Sequence, residues 1–269
     1  MPELPEVETV KEILKPKLIN QKILNIKVFY NEMIEYPEVE QFKKQIINQT
    51  ILDIKRRGKW LLFELNDYYL LSHLRMEGKY NIKTNQKITE HEHVIFYFKD
   101  FNLRYQDTRK FGRMYLYKKE LAFNSKPLNL LGLEPNDPKL NYIYLQEKYK
   151  NIRKPIKETL LDQSIIAGIG NIYADEILFL SHINPYTKPK ELTIDNLKEI
   201  IKNTNFVLNE AIKKGGTTIR TYTSSEGIHG RFQQDLLVHC QKKCKKCNSI
   251  IKIDKIGGRS TYYCPNCQK

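Results

Sequence analysis

Two cysteine pairs near the end of the chain limit its folding more than any other feature. Cys244 and Cys247, then Cys264 and Cys267, are each separated by two residues, with sixteen residues between the pairs. Four thiolates at this spacing close a tetrahedral zinc shell and leave no position for water, so the metal they imply is structural. A segment this short cannot build its own core, and metal binding must supply much of its folding energy. Between the pairs, IIKIDKIGGRSTYYC reads as a β-hairpin turning at Gly257-Gly258, with Arg259 at its tip. Cys240 is a spare thiol: its Cys-x3-Cys spacing to Cys244 is the less usual one. A secreted disulfide framework fits five clustered cysteines poorly.

Charge points to a partner. The chain has 45 Lys+Arg against 31 Asp+Glu, a net +14 over 269 residues. From Cys240 onward there are eight basic residues and one acid, Asp254, so half the excess lies on about a ninth of the chain. Such a field suits nucleic acid or an anionic membrane surface. The chain lacks a basic amphipathic helix of the membrane-surface kind. Its longest apolar runs, such as Ile165 to Ala174, are too short to span a bilayer. No basic stretch leads into an apolar signal region, so a cytoplasmic location is expected.

The pattern along the chain predicts an α+β protein. PELPEVETVKEILK reads as an N-terminal helix, with Pro5 in its first turn, acids at the positive end of its dipole, and Val7, Val10, Ile13 and Leu14 facing a core. Between about Ile23 and Leu121, short runs rich in Ile, Val, Phe, Tyr and Leu predict a β-sandwich: Ile23 to Tyr30, Trp60 to Leu65, Tyr68 to Leu74, His93 to Phe98, Leu103 to Tyr105 and Arg113 to Tyr117. The stretch LLGLEPNDPK reads as an interdomain linker. Helices follow at Tyr142 to Tyr149, Pro155 to Leu161, Ile172 to Leu180 and Thr193 to Lys214, the last with Thr193 as N-cap and Gly215-Gly216 as its stop. The expected division is a β-sandwich domain over 1–131, a linker over 132–140, a helical domain over 141–235 and a zinc finger over 236–269.

Two further patterns carry chemistry. GIGNIYADE, Gly168 to Glu176, is not a dinucleotide loop, because the preceding residues read as helix and position 173 is Tyr. It reads instead as a tight turn that brings backbone N–H groups and Asn171 to a helix N-terminus, an anion site with Lys157 as a second ligand. RRGKW (Arg56 to Trp60), SHLRMEGKY (Ser72 to Tyr80) and DTRKFGR (Asp107 to Arg113) are three loops that each set cations beside a large apolar residue. Three such loops on one β-domain suit a surface that grips phosphates and offers wedges to a base stack.

Taken together, PELPEVETV, RRGKW, SHLRMEG, DTRKFG, IK-x2-LLDQ, GIGNIYADE, GGTT and GRSTYYCPNCQ resemble formamidopyrimidine-DNA glycosylase nearly end to end and in motif order. The resemblance implies an N-terminal sandwich, a helix–two-turn–helix domain and a β-hairpin zinc finger. It also implies excision of oxidised purines from damaged double-stranded DNA, followed by β- and δ-elimination at the abasic site. The implied enzyme is a monomer with one structural Zn2+ and no catalytic metal or organic cofactor, associated with the nucleoid when bound to DNA. In the implied roles, Pro2, freed by loss of Met1, is the amine nucleophile and Glu3 the acid/base beside it. Lys59 assists base release and contacts phosphate. Met76, Arg109 and Phe111 fill the gap left by the everted nucleotide, while His73 lies near the DNA backbone. Lys157, Asn171 and Arg259 bind phosphates. Glu6, Glu77, Thr218, Arg220 and Tyr222 belong to the damaged-base pocket. One departure concerns VHCQKKC, which is shorter than the family's Tyr-Gly stretch before the first zinc cysteine and contains Cys240. Two competing readings are an endonuclease VIII-like enzyme for oxidised pyrimidines, disfavoured by Met76, Arg109 and Phe111, and a non-catalytic zinc DNA-binding protein, which would leave Pro2, Glu3 and Lys59 idle.

Overall fold

A computed structural model of the chain describes residues 1–217 and 230–269. The described residues divide into two compact units, Met1–Asn129 and Leu130–Thr217 with Arg231–Lys269. The zinc segment is part of the second unit.

The first unit opens with α1 (Leu4–Leu18). Strands β1 (Asn25–Val28) and β2 (Ile34–Tyr36) follow, then α2 (Val39–Ile46). The remaining strands are β3 (Asp53–Arg57), β4 (Trp60–Glu64), β5 (Tyr68–His73), β6 (Lys79–Lys83), β7 (Glu92–Tyr97), β8 (Asn102–Gln106) and β9 (Arg113–Lys118). A short α3 (Lys119–Ala122) closes the series. Among the described residues they form a four-stranded sheet, β1-β7-β8-β6, and a five-stranded sheet, β2-β9-β5-β4-β3. One core joins them: Ile26, Tyr80, Val94, Phe96, Leu103 and Tyr105 from the first sheet meet Ile54, Leu61, Phe63, Leu70, Met114 and Leu116 from the second. Val7, Val10, Leu14 and Leu18 of α1 complete it, as helical spacing requires. The expected sandwich is therefore present. Five elements go beyond the sequence reading: β2, β3, β6, the single-turn α3, and α2, which buries only Phe42 and Ile46.

The second unit contains α4 (Tyr142–Tyr149), α5 (Ile156–Leu160), α6 (Asn171–Leu180) and α7 (Ile194–Lys213). Thr193 Oγ1 accepts the Asn196 N–H at 3.2 Å, an N-cap bond. Gly215 and Gly216, at φ 73° and 78°, turn the chain out of α7. The segment read as a linker is not loose: the Gly132 N–H donates to Gln163 O and the Ala167 N–H to Leu133 O, both at 2.8 Å. Strands β10 (Lys252–Ile256) and β11 (Arg259–Tyr263) pair around Gly257-Gly258. Both glycines have positive φ, 54° and 77°, as a two-residue type I′ turn demands. No described helix is long and apolar enough to cross a membrane.

Candidate nucleic-acid interface

Antiparallel register brings the three cation-bearing loops together. In the five-stranded sheet Trp60 pairs with His73, and His73 pairs with Arg113. The residues just outside those positions are Lys59, the 74–78 loop and the 108–112 loop, so all three leave the sheet at one end. The other sheet repeats the arrangement, because Lys79 pairs with Gln106. The 74–78 and 108–112 loops thus each cross from one sheet to the other, side by side.

Side chains then fix the loops. The buried Asp107 carboxylate accepts N–H groups from Arg109 at 3.1 Å, Phe111 at 2.9 Å and Gly112 at 2.8 Å. The Arg109 guanidinium sits over the Phe111 ring, 4.7 Å from its centroid. Thr108 Oγ1 donates to Glu77 Oε2 at 2.7 Å and staples the two loops. The Tyr105 hydroxyl occupies the space beneath both: a Cβ added at Gly78 or Gly112 would meet it at 2.1 or 1.9 Å. Only glycine fits at either position. Met76 and Phe111, 40% and 45% exposed, remain at the surface, where a wedge must be.

Lys59 follows Gly58, whose φ of 56° suits the first position of a two-residue hairpin turn. Lys59 is buried. Arg56 connects this turn to α1, donating to Glu8 Oε2 at 2.7 Å and to Gly58 O at 2.9 Å. At the start of α1, Glu3 is the buried N-cap residue, and its N–H donates to Glu6 Oε2 at 2.9 Å. Glu6 therefore holds the backbone next to Pro2, and Glu77 braces the wedge loops. His73 is buried against Trp60, centroids 4.6 Å apart, and its Nδ1 accepts the Arg75 N–H at 2.9 Å. Burial, with Arg75 and Lys59 adding repulsion, pushes its pKa down to about 3. A neutral ring that accepts at Nδ1 carries its proton on Nε2 and is a hydrogen-bond donor there rather than a charge.

In the second unit the GIGN turn is tied by Gln163. Its side-chain nitrogen donates to Leu161 O and Ile169 O, and its oxygen accepts the Gly168 N–H, all at 2.9 Å. Asn171 opens α6 and donates from Nδ2 to Ser260 O of the hairpin at 2.9 Å. Lys157 is fully buried: its Nζ lies 2.5 Å from Asp175 Oδ1 and 2.7 Å from Asn171 O. Arg259 is exposed at the hairpin tip. Glu176 accepts the N–H groups of Leu237, Val238 and His239 at 2.8–3.0 Å. Burial holds its carboxyl above the ordinary value against the pull of those three donors. Thr218, Arg220 and Tyr222 lie outside the described residues.

The four zinc thiols meet the geometric requirement. Their Sγ atoms all lie within 4.8 Å of one another, with Cys244–Cys267 at 3.9 Å and Cys247–Cys264 at 3.4 Å. A tetrahedron with Zn–S bonds of about 2.3 Å has edges of roughly 3.8 Å. Cys240 is exposed and outside this cluster. Phe179 of α6 packs with Val238, Ile251 and the buried cysteines, so the module shares its small core with a helix.

Sequence reasoning singles out the loops but misses the residues that hold them: Arg56, Tyr105, Asp107, Gln163 and Asp175. All but Tyr105 stand inside quoted motifs, and a lone acid or amide beside a glycine turn was the available signal for Asp107 and Gln163.

Three domain families match consecutive parts of the chain: formamidopyrimidine-DNA glycosylase N-terminal domain over residues 1–114, formamidopyrimidine-DNA glycosylase H2TH domain over 131–223, and the zinc finger found in FPG and IleRS over 241–269. The chain is 48% identical to formamidopyrimidine-DNA glycosylase of Oceanobacillus iheyensis, over 100% of this chain and 98% of that one. It is 44% identical to the Bacillus cereus protein of the same name, over 100% and 99%. Its fold is similar to that of Lactococcus lactis Fpg in complex with an abasic site containing DNA, with a TM-score of 0.93, 38% identity and 99% of each chain covered. The same scaffold appears in wild-type Lactococcus lactis Fpg with an N7-benzyl-Fapy-dG containing DNA, at TM-score 0.93, 38% identity and full coverage of both chains.

Proposed function

Because the chain belongs to the formamidopyrimidine-DNA glycosylase family, we propose that it excises oxidised purines, 8-oxoguanine and formamidopyrimidines, from duplex DNA and then cuts the abasic strand. It is a DNA glycosylase and AP lyase of base excision repair, with damaged DNA as its partner and one structural zinc. A cytoplasmic location, with nucleoid association when DNA is bound, follows from that partner. The observation that carries the residue assignment is the sheet register, which sends Lys59, the Met76 loop and the Arg109–Phe111 loop out of one sheet end.

The chemistry begins at Pro2. Once Met1 is removed, its nitrogen is a secondary α-amine with a reference pKa of about 8, so a useful fraction is neutral near pH 7. The positive end of α1, which starts two residues later, lowers that value further. Extrusion of the damaged nucleotide costs a few kcal/mol, which Met76, Arg109 and Phe111 offset by refilling the stack. Pro2 nitrogen bonds to C1′ as the glycosidic bond breaks and the base leaves with a proton, while Lys59 assists that departure. Glu3 gives a proton to O4′ as the sugar ring opens, leaving C1′ doubly bonded to a cationic nitrogen. That iminium is an electron sink. Loss of the C2′ proton expels the 3′ phosphate, and a second elimination expels the 5′ phosphate. Water then hydrolyses the iminium and frees Pro2.

Three assays test the proposal. Borohydride should trap wild-type protein on an abasic duplex, and absence of an adduct excludes the iminium and returns the chain to a non-catalytic binder. Paired duplexes carrying 8-oxoguanine opposite cytosine or thymine glycol should show preference for the purine. Reversal of that preference would favour the endonuclease VIII-like reading. Pro2→Gly should lose excision and cleavage by about 100-fold or more, the scale of a positioned catalytic group, with DNA binding largely retained. Collapse of binding as well makes Pro2 structural.

A further inference from the structure

Asp175 is buried in the first turns of α6, 1% exposed, and no role in binding or chemistry has been given to it above. It draws together three separate segments. Its Oδ1 lies 2.5 Å from Lys157 Nζ of α5. Its Oδ2 lies 2.6 Å from His239 Nδ1, ahead of the zinc cysteines, and accepts the Tyr262 N–H of β11 at 3.3 Å. The bonds close a ring. Lys157 Nζ also donates to Asn171 O at 2.7 Å, and Asn171 Nδ2 donates to Ser260 O at 2.9 Å, two residues before Tyr262. Arg259 immediately precedes Ser260.

We propose that Asp175 is a positioning residue for phosphate binding: it fixes the separation between the Asn171 amide and Arg259. The inference rests on the phosphate-binding roles that the family resemblance implies for those two residues. The physical reason is that Lys157 is 0% exposed and Asp175 is its charged partner. Removing one member of a buried pair strips the other of an ion-pair partner and favours loss of its proton or movement out of the interior. A neutral amine is a weaker donor to Asn171 O and a displaced one cannot reach it, so that hydrogen bond is weakened or lost. The same change leaves at most one amide oxygen where Lys157, His239 and Tyr262 shared two carboxylate oxygens, so the two halves of the phosphate clamp lose part of their common reference. A salt bridge that only stabilised the fold would not act selectively on that pair of ligands.

The test is a cycle read by binding, with no dependence on base chemistry. Kd for a duplex carrying a tetrahydrofuran abasic analogue is measured for wild type, D175N, N171A/R259A and the triple variant, each checked for one zinc per chain and a cooperative melt. D175N should raise Kd by about tenfold in the wild-type background and by less than about twofold in the N171A/R259A background, because interacting sites are non-additive. Equal penalties in both backgrounds would overturn the inference. A wild-type Kd for N171A/R259A would instead sink the phosphate assignment beneath it. If D175N does not fold, D175E, which keeps the buried charge for Lys157 but moves the carboxylate along the side chain, takes its place in the same cycle with the same two readings.

Discussion

Arg109 and Arg259 both stand at tight turns, yet the two turns are held by different physics. Around Arg109 the protein supplies everything. Asp107 collects three N–H groups, the Tyr105 hydroxyl fills the space under two glycines, and the sandwich core of the first unit lies beneath. Around Arg259 the hairpin has few apolar residues of its own. It draws on Phe179 of α6, on the Asp175 ring and on a metal. One arginine is positioned by a large core and the other by cross-links. A tight turn can be supported by burial or by coordination, and the two supports fail under different conditions.

The largest expected contrast comes from Cys264→Ser. Structural zinc contributes on the order of 10 kcal/mol to small modules, so the variant should release the metal, lose the hairpin and weaken DNA binding by about 100-fold or more. The first unit should still melt as in wild type. Zinc content, calorimetry and a binding titration check this, and retained metal would bring Cys240 in as a ligand. A smaller effect is expected from Asp107→Ala. Hydrogen bonds to a charged group contribute about 1.5–3 kcal/mol each, so loss of all three should cost the first unit at least about 4 kcal/mol in denaturant titration. Zinc content should stay at one per chain. Any loss of metal in that variant would break the separation between the two supports.

The smallest expected effect is one of pH and belongs to the first unit alone. His73 has a folded pKa of about 3. Its unfolded value is near 6.5, so between the two the unfolded chain binds more protons and stability rises with pH. The contribution is complete above about pH 6.5 and is lost as pH falls towards 3. Between about pH 7 and pH 5 this is roughly 2 kcal/mol. Urea titrations of wild type and His73→Gln at both pH values check it. Equal slopes for the two proteins would show that His73 is not the group responsible.

Much of the site was legible because its signals are local. The zinc spacing, the Gly257-Gly258 turn, the Thr193 cap and the three cation-bearing loops need only neighbours in sequence. Strands β3 and β6, DIKRR and KYNIK, were not legible: each buries a single apolar side chain, Ile54 or Tyr80, among charges and amides. Helix α2 was hidden in the same way, since Phe42 and Ile46 make too narrow a stripe to stand out from strand-like text. Lys157 illustrates the limit for the site. Its motif marks it as a phosphate ligand, while its burial against Asp175 depends on residues eighteen positions apart meeting across a turn.

By itself the sequence determined which residues could bind metal and which segments had to turn. These follow from covalent spacing and backbone preference. Only the tertiary structure decided that Trp60, His73 and Arg113 share one line across a sheet, and that Asp175 meets Lys157, His239 and Tyr262 at one point. Strand register is set by burial of the shared core, and a one-residue slip would turn every side chain to the other face.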